Sequence, residues 1–480
     1  MLTTVIIIGI LFIGALGILG RARQREMSHW TVGGRDFPRW TSWFLQAGES
    51  LTTFSFLGLA GVAYGGGVSA LFALVYLTIC SAILYFVAPR IRALGANRGY
   101  LTMADFFGDR FKSRSLSIVV ALVGAVFLIP YLELQITGLG LIVQLATGST
   151  SASGLSMVVA SALVVVFVIW AGIRGIARVS VFKDLAMLVA LLIVLAGVIG
   201  SVGGVPDVFA KVGEAAPRLL TITTPGLGTT FFVTSALVTS IGAGFSTFPH
   251  LWPPVLAAKS GSVLRSNYTW LPLYQLLLFV PILAGMAGFL VLKPKTPSNN
   301  VLLTVAQHTL PDWLVAVIAV AGAAAAMVPA AAIAMGISSL VSNNLIRLKN
   351  QALRFRLNHA VVVVAVGLAL LFGLAKSDIA SLLLLTYGGL TQLAPAVVLA
   401  LPQRVRAGAI PVLLGILVGT VSVAVLAFGK VPLGGWDSGL VSLAPNLLVL
   451  AVAEGVRRSR TRGGRATGET DAVLAAEGAA

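Results

Sequence analysis

Glu49 lies in Trp43-Phe-Leu-Gln-Ala-Gly-Glu-Ser-Leu-Thr-Thr-Phe54, where Gly48, Ser50, Thr52 and Thr53 interrupt an otherwise apolar stretch. Burying an ionised carboxylate in a lipid-spanning helix costs at least ~2.5 kcal/mol on the lenient insertion scale, so the group must be protonated, paired or turned to a wet cavity. Beside hydroxyls and loosened backbone it can carry a proton or ligate a cation; a structural hydrogen bond to a neighbouring helix is the alternative. A second polar break reads Thr239-Ser-Ile-Gly-Ala-Gly-Phe-Ser-Thr-Phe-Pro-His-Leu-Trp-Pro-Pro254. Gly242, Gly244, Pro249, Pro253 and Pro254 do not sustain a regular helix, and Ser246 adds a hydroxyl. His250 can switch charge near neutral pH there, or serve as a satisfied structural histidine. Glu133, in Ile129-Pro-Tyr-Leu-Glu-Leu-Gln135, is the other acid clearly inside an apolar segment. Pathway lining with Tyr131 and Gln135 and structural pairing both suit it.

The elements that position these groups follow from composition. Of 480 residues, 58% are hydrophobic and 10% charged, and mean hydropathy is +0.98. A water-soluble fold is excluded, as is disorder outside the last eighteen or so residues. Stretches long enough to cross a bilayer fall at about 2–20, 41–64, 68–89, 116–147, 154–173, 180–203, 229–256, 267–292, 313–342, 358–375, 379–401, 407–429 and 439–455. They are apolar throughout rather than alternating, so thirteen helices are expected and barrel strands are not.

With the N-terminus outside, the inward segments collect 27 of the 33 Lys and Arg residues and the outward ones six. That asymmetry predicts an N-out, C-in topology. The net charge of +17 therefore reports orientation and contact with anionic lipid at the cytosolic face, not nucleic acid. The first span lacks a preceding basic region and is followed by Arg21, Arg23 and Arg25, which reads as a retained anchor.

The two breaks lie in the second and seventh spans. Five spans apart, they run in opposite directions, the pattern of an inverted-repeat transporter with its site at the midplane. Freed carbonyls there bind cations, and half-helix N-termini favour carboxylates. No basic residue is expected in the central membrane, and Asp184 is read as pairing with Arg178 and Lys183 near a cytosolic helix end. That disfavours a multiply charged substrate. Ala321-Gly-Ala-Ala-Ala-Ala-Met327 reads as small-residue packing surface. Gly138-Leu-Gly140 opens no strand–turn–helix unit and so carries no nucleotide signal. Cys80 is the single cysteine. No metal or nucleophile–base constellation is visible, so an enzyme is not expected and no cofactor is implied.

At these residues the chain resembles the sodium:solute symporter family. The resemblance rests on Gly33-Gly-Arg-Asp-Phe-Pro-Arg-Trp40, Phe56-Leu-Gly-Leu-Ala-Gly-Val-Ala-Tyr64 and, most specifically, Tyr100-Leu-Thr-Met-Ala-Asp-Phe-Phe-Gly-Asp-Arg110. Gly172-Ile-Arg-Gly-Ile-Ala-Arg178 and Val181-Phe-Lys-Asp184 also fit. It implies an all-α membrane protein of about thirteen helices, N-out, with a LeuT-like five-plus-five inverted repeat in helices two to eleven. Phe248-Pro-His-Leu-Trp252, Met327-Val-Pro-Ala-Ala331 and Asn344-Leu-Ile-Arg347 are most like the bacterial monocarboxylate permeases, which take up acids such as lactate, pyruvate or acetate. Family coupling-ion ligands would be carbonyls near Gly48, Leu51 and Ala325, completed by a Ser/Thr pair. Here Val328 and Pro329 occupy the pair's positions and carry no hydroxyl. A proton on Glu49 is the alternative to sodium.

The expected organisation is an anchor and basic loop (1–40), a first repeat (41–203), an external loop (204–228), a second repeat (229–401), two accessory helices (402–462) and a disordered cytosolic tail (463–480). The expected function is cation-coupled import of a small organic acid, driven by H+ or Na+, across a bacterial inner membrane. Substrate contacts are expected at Ala47, Gly48, Ser50, Thr52, Thr53, Tyr131, Gln135, Gly242, Gly244 and Ser246. Ion contacts are expected at Glu49, Gly48, Leu51 and Ala325, with Glu133 and His250 as proton relays. The alternatives are a Na+-coupled amino-acid, sugar or vitamin symporter, and more remotely a channel or transport-like sensor.

Overall fold

A computed structural model describes residues 2–19, 26–148, 153–374 and 378–477, with the side chains of 153 and 461–477 left aside. Arg21, Arg23, Arg25 and Lys376 lie outside the described residues, and the expected tail, 463–480, lies beyond the described side chains. The described chain is helical, with a single isolated backbone bridge between Phe37 and Ala258. Large apolar side chains such as Leu11, Val364, Leu371 and Phe428 stand exposed around the bundle. A surface of that kind needs lipid to cover it.

Nine helical runs among the described residues are long and apolar enough to cross a bilayer, or up to eleven when each of two bent pairs is taken as one span. Two of the nine, Phe54–Arg98 and Gly154–Val202, contain 45 and 49 residues. Straight, either would be roughly 70 Å long, more than twice a ~30 Å hydrocarbon core. Gly67 and Gly172, with φ of 55° and 53°, break them. The thirteen expected segments divide each of these runs in two, which accounts for the larger number.

Both expected breaks are present. The first broken span runs as a helix over Arg39–Ala47, gives way to irregular turns over Gly48–Thr53, and resumes through a π-helical turn at Phe54–Gly58 into Leu59–Gly66. In the gap, Ser55 Oγ donates to the Ser50 carbonyl at 2.5 Å, so a side chain replaces part of the lost ladder. The second is the helix Thr229–Gly244 followed, at 45°, by Pro249–Ala257. Ser246 takes a positive φ of 55° in the corner, and Trp252 Nε1 donates to its carbonyl at 2.8 Å.

The two broken spans are stitched together at one end. Phe37 N–H donates to the Ala257 carbonyl at 3.0 Å, and Lys259 N–H donates to the Phe37 carbonyl at 2.9 Å. The helix Asp312–Leu340 passes beside both breaks, with its small residues 321–326 fully buried, as packing surface should be. Pro130, by contrast, sits inside one continuous helix, Arg114–Thr147, that carries Tyr131, Glu133 and Gln135.

Candidate substrate and ion site

Glu49 comes from the first break and His250 from the second, and their side chains meet, Oε2 to Nε2, at 3.4 Å with both largely buried. They line a cavity of about 70 Å³ between the broken spans. Tyr131, Phe248, Gln275 and Tyr387 complete its walls, with Ser50 and Ser246 at the two breaks. Aromatic edges pack it closely: Tyr131 lies 5.4 Å from the His250 ring and Phe248 lies 4.5 Å from the Tyr387 ring, centroid to centroid. Gln275 Nε2 donates to Ser50 Oγ at 3.0 Å, which fixes the amide against the first break.

Several polar atoms at this cavity are buried without a hydrogen-bond partner: both Glu49 oxygens, His250 Nδ1 and Gln275 Oε1. Buried polar groups in native proteins are nearly always satisfied, so unfilled ones facing a cavity mark where water or a solute completes the bonding. Drug-sized pockets measure roughly 300–1,000 Å³. This one is several times smaller and suits a solute of a few heavy atoms.

Behind the first break lies a basic side chain that the sequence reading placed elsewhere. Lys183 has no exposed surface, and its Nζ donates to the carbonyls of Gly48 at 2.5 Å and Leu51 at 2.7 Å. Its third neighbour is Asp184 Oδ1, at 3.0 Å. Two expectations are corrected here: a basic residue does lie at the level of the break, and Asp184, although paired with Lys183 as expected, is buried beside it and not paired with Arg178. Arg178 instead donates to the Leu19 carbonyl at 2.6 Å. The reason is the turn at Gly172, after which the returning helix carries Lys183 back into the protein.

Of the expected substrate contacts, Ser50, Tyr131 and Ser246 line the cavity together with Glu49 and His250. Ala47, Gly48, Thr52, Thr53, Gly242 and Gly244 form the backbone of the breaks without lining it. Gln135 instead braces the first break, its Oε1 accepting from the Thr53 N–H at 3.4 Å. Glu133 is buried against Gly373, away from the cavity lining. Ala325, Val328 and Pro329 are buried on the helix Asp312–Leu340. Lys183, Gln275, Phe248 and Tyr387 were not singled out. For Lys183 the signal is a Lys–Asp pair inside an apolar run.

The motif that carries the resemblance has a structural job. Thr102 and Asp105 form a capping box at the start of the short helix Met103–Arg110. Asp105 also accepts from the amides of Asn343 and Asn344 at 2.8 Å, tying this helix to the end of Asp312–Leu340. Arg110 donates to the carbonyls of Ala400, Pro402 and Gln403.

Comparison with known proteins agrees with this architecture. The model of the "Sodium:solute symporter family" matches residues 30–419. An uncharacterized symporter, YhjB, of Bacillus subtilis (strain 168) is 31% identical over 94% of both chains. The "Monocarboxylate transport permease protein" of Rhizobium johnstonii is 27% identical over 66% of this chain and 64% of its own. Among solved structures, a Na+-coupled sialic acid symporter in a substrate-bound outward-open state superposes with a TM-score of 0.77. It is 17% identical, covering 95% of this chain and 98% of that one. The nucleobase-cation-symport-1 transporter Mhp1 superposes with a TM-score of 0.55 at 14% identity, covering 86% of this chain and 93% of that one. Both likenesses carry the LeuT-like fold. The chain belongs to the sodium:solute symporter family and is a multi-pass membrane transporter of a small solute, not an enzyme.

Proposed function

We propose that this protein imports a small monocarboxylate across the bacterial inner membrane by alternating access, coupled to a cation, H+ or Na+. The observation that carries the reading is the Glu49–His250 pair, which joins the two breaks at a cavity of about 70 Å³ with unfilled polar atoms. Hydroxyls of Ser50, Tyr131, Ser246 and Tyr387 suit one carboxylate, and Leu77, Leu84 and Phe248 suit a short apolar body. A single negative charge brought beside Glu49 needs a co-transported positive one, which is the physical ground for symport. The likeness to the Rhizobium monocarboxylate permease supports the substrate class.

The test is uptake of labelled C2–C4 acids by proteoliposomes under imposed proton and sodium gradients, with unlabelled proline, sugars and vitamins as competitors. Uphill accumulation displaced only by small acids is the expected result. Displacement by an amino acid or sugar would reassign the cargo, and gradient-independent equilibration would indicate a channel.

A further inference from the structure

The carbonyls of Gly48 and Leu51 are the ones that, by family resemblance, would hold the coupling sodium. Here the Lys183 nitrogen lies between them, at 2.5 and 2.7 Å, with Asp184 Oδ1 at 3.0 Å. An ammonium has three N–H donors and no acceptor; two of them are taken by the carbonyls, and the Asp184 carboxylate lies at ion-pair distance from the same nitrogen. A neutral amine would have to aim its lone pair at one of the oxygens. Nζ therefore carries a full positive charge at the place where two freed carbonyl dipoles converge, and a sodium ion cannot occupy the same space. The family's hydroxyl pair is missing as well: Val328 and Pro329 stand at its positions, and a hard cation requires oxygen ligands.

We propose that Lys183 is a tethered cation that permanently takes the place of sodium at the first break, so that transport by this protein needs no sodium at that site. The ammonium has two jobs there. It satisfies the carbonyls that the break releases, and it supplies the fixed positive charge that offsets Asp184. The device is already in place in the folded chain, so no ion has to arrive for the broken span to hold its shape.

The proposal rests on the two breaks forming the transport site but not on the identity of the cargo, and two measurements keep them apart. First, purified full-length protein is melted in detergent in NaCl and in choline chloride of equal concentration, without substrate. Equal melting temperatures are expected, and a sodium-specific rise would overturn the proposal. Secondly, uptake of a labelled C2–C4 acid is compared in sodium and in choline media at the same proton gradient. Rates within about twofold are expected, whereas uptake that collapses in choline would overturn it. If no labelled acid is taken up in either medium, the cargo reading fails and the melting comparison alone decides the present one. Lys183→Met keeps the side chain's bulk and removes the charge. It is expected to lower uptake by about tenfold or more in both media, and a fully active variant would overturn the proposal. Should that variant misfold, both wild-type measurements stand without it.

Discussion

Glu49 Oε2 lies 3.4 Å from His250 Nε2, the first in the gap of one broken span and the second in the turn that resumes the other. Removing one member of a buried pair leaves the other uncompensated, which costs more than removing both. Glu49→Gln and His250→Gln are each expected to lower proteoliposome uptake by about tenfold or more, a coupling of ~1.4 kcal/mol or more. The double variant should be no worse than the poorer single one. Losses that multiply would mean that the two residues act separately.

Gly336 is where the helix Asp312–Leu340 passes the second break. A Cβ built there would lie 2.9 Å from the Cα and Cβ of His250, too close for the backbone to stay where it is. Gly336→Ala is therefore expected to push His250 away from Glu49, at an overpacking cost of roughly 1–3 kcal/mol. Thermal unfolding in detergent and uptake should both fall, and an unperturbed melt with normal uptake would show that the contact gives way freely.

Arg110 spans the carbonyls of Ala400, Pro402 and Gln403 with one planar guanidinium. A lysine offers a single point of charge and cannot reach several acceptors in that plane. Arg110→Lys is expected to lose about 1.5–3 kcal/mol, the scale of a hydrogen bond to a charged group. The loss should be read as a lower melting temperature and as faster proteolysis within 401–408.

The ion cluster on the same surface gives a pH dependence. Partial burial pushes the Asp109 carboxyl upward, but hydrogen bonds from Lys112 and Tyr100, with the charges of Lys112 and Arg98, outweigh it and hold the group below the usual carboxylate range. A folded-state value below the unfolded one gives stability that is complete above the unfolded value, about 4, and is lost as pH falls from there through the folded value. The melting temperature should drop between pH 5 and pH 3 by a smaller step in Asp109→Asn than in the wild type. An identical step in both proteins would remove Asp109 from the account.

Much of this architecture is legible in the residues. The broken spans announce themselves because Gly, Pro and hydroxyls in an apolar run cannot maintain a helix ladder, and both breaks occur where those residues cluster. The Glu49–His250 meeting was not legible. Each residue could be flagged singly, but their contact depends on how two distant helices cross, and no local pattern encodes a crossing. Lys183 was misplaced for a related reason: charge counting by segment assumes that a basic residue near a helix end faces water. The turn at Gly172 sends this one inward instead. Glu133 illustrates the converse, since an acid in a span next to a cavity-lining tyrosine packs its side chain beside Gly373 and does not line the cavity.

The backbone bonds joining Phe37 to Ala257 and Lys259 have a mechanical meaning. Two levers riveted at one end cannot swing apart, so whatever exposes the solute first to one face and then to the other must tilt this couple as a unit against its surroundings. Since the rivet is made of peptide groups, ordinary side-chain exchange leaves it in place; inserting proline at position 37 would remove one of its donors and let the levers slip.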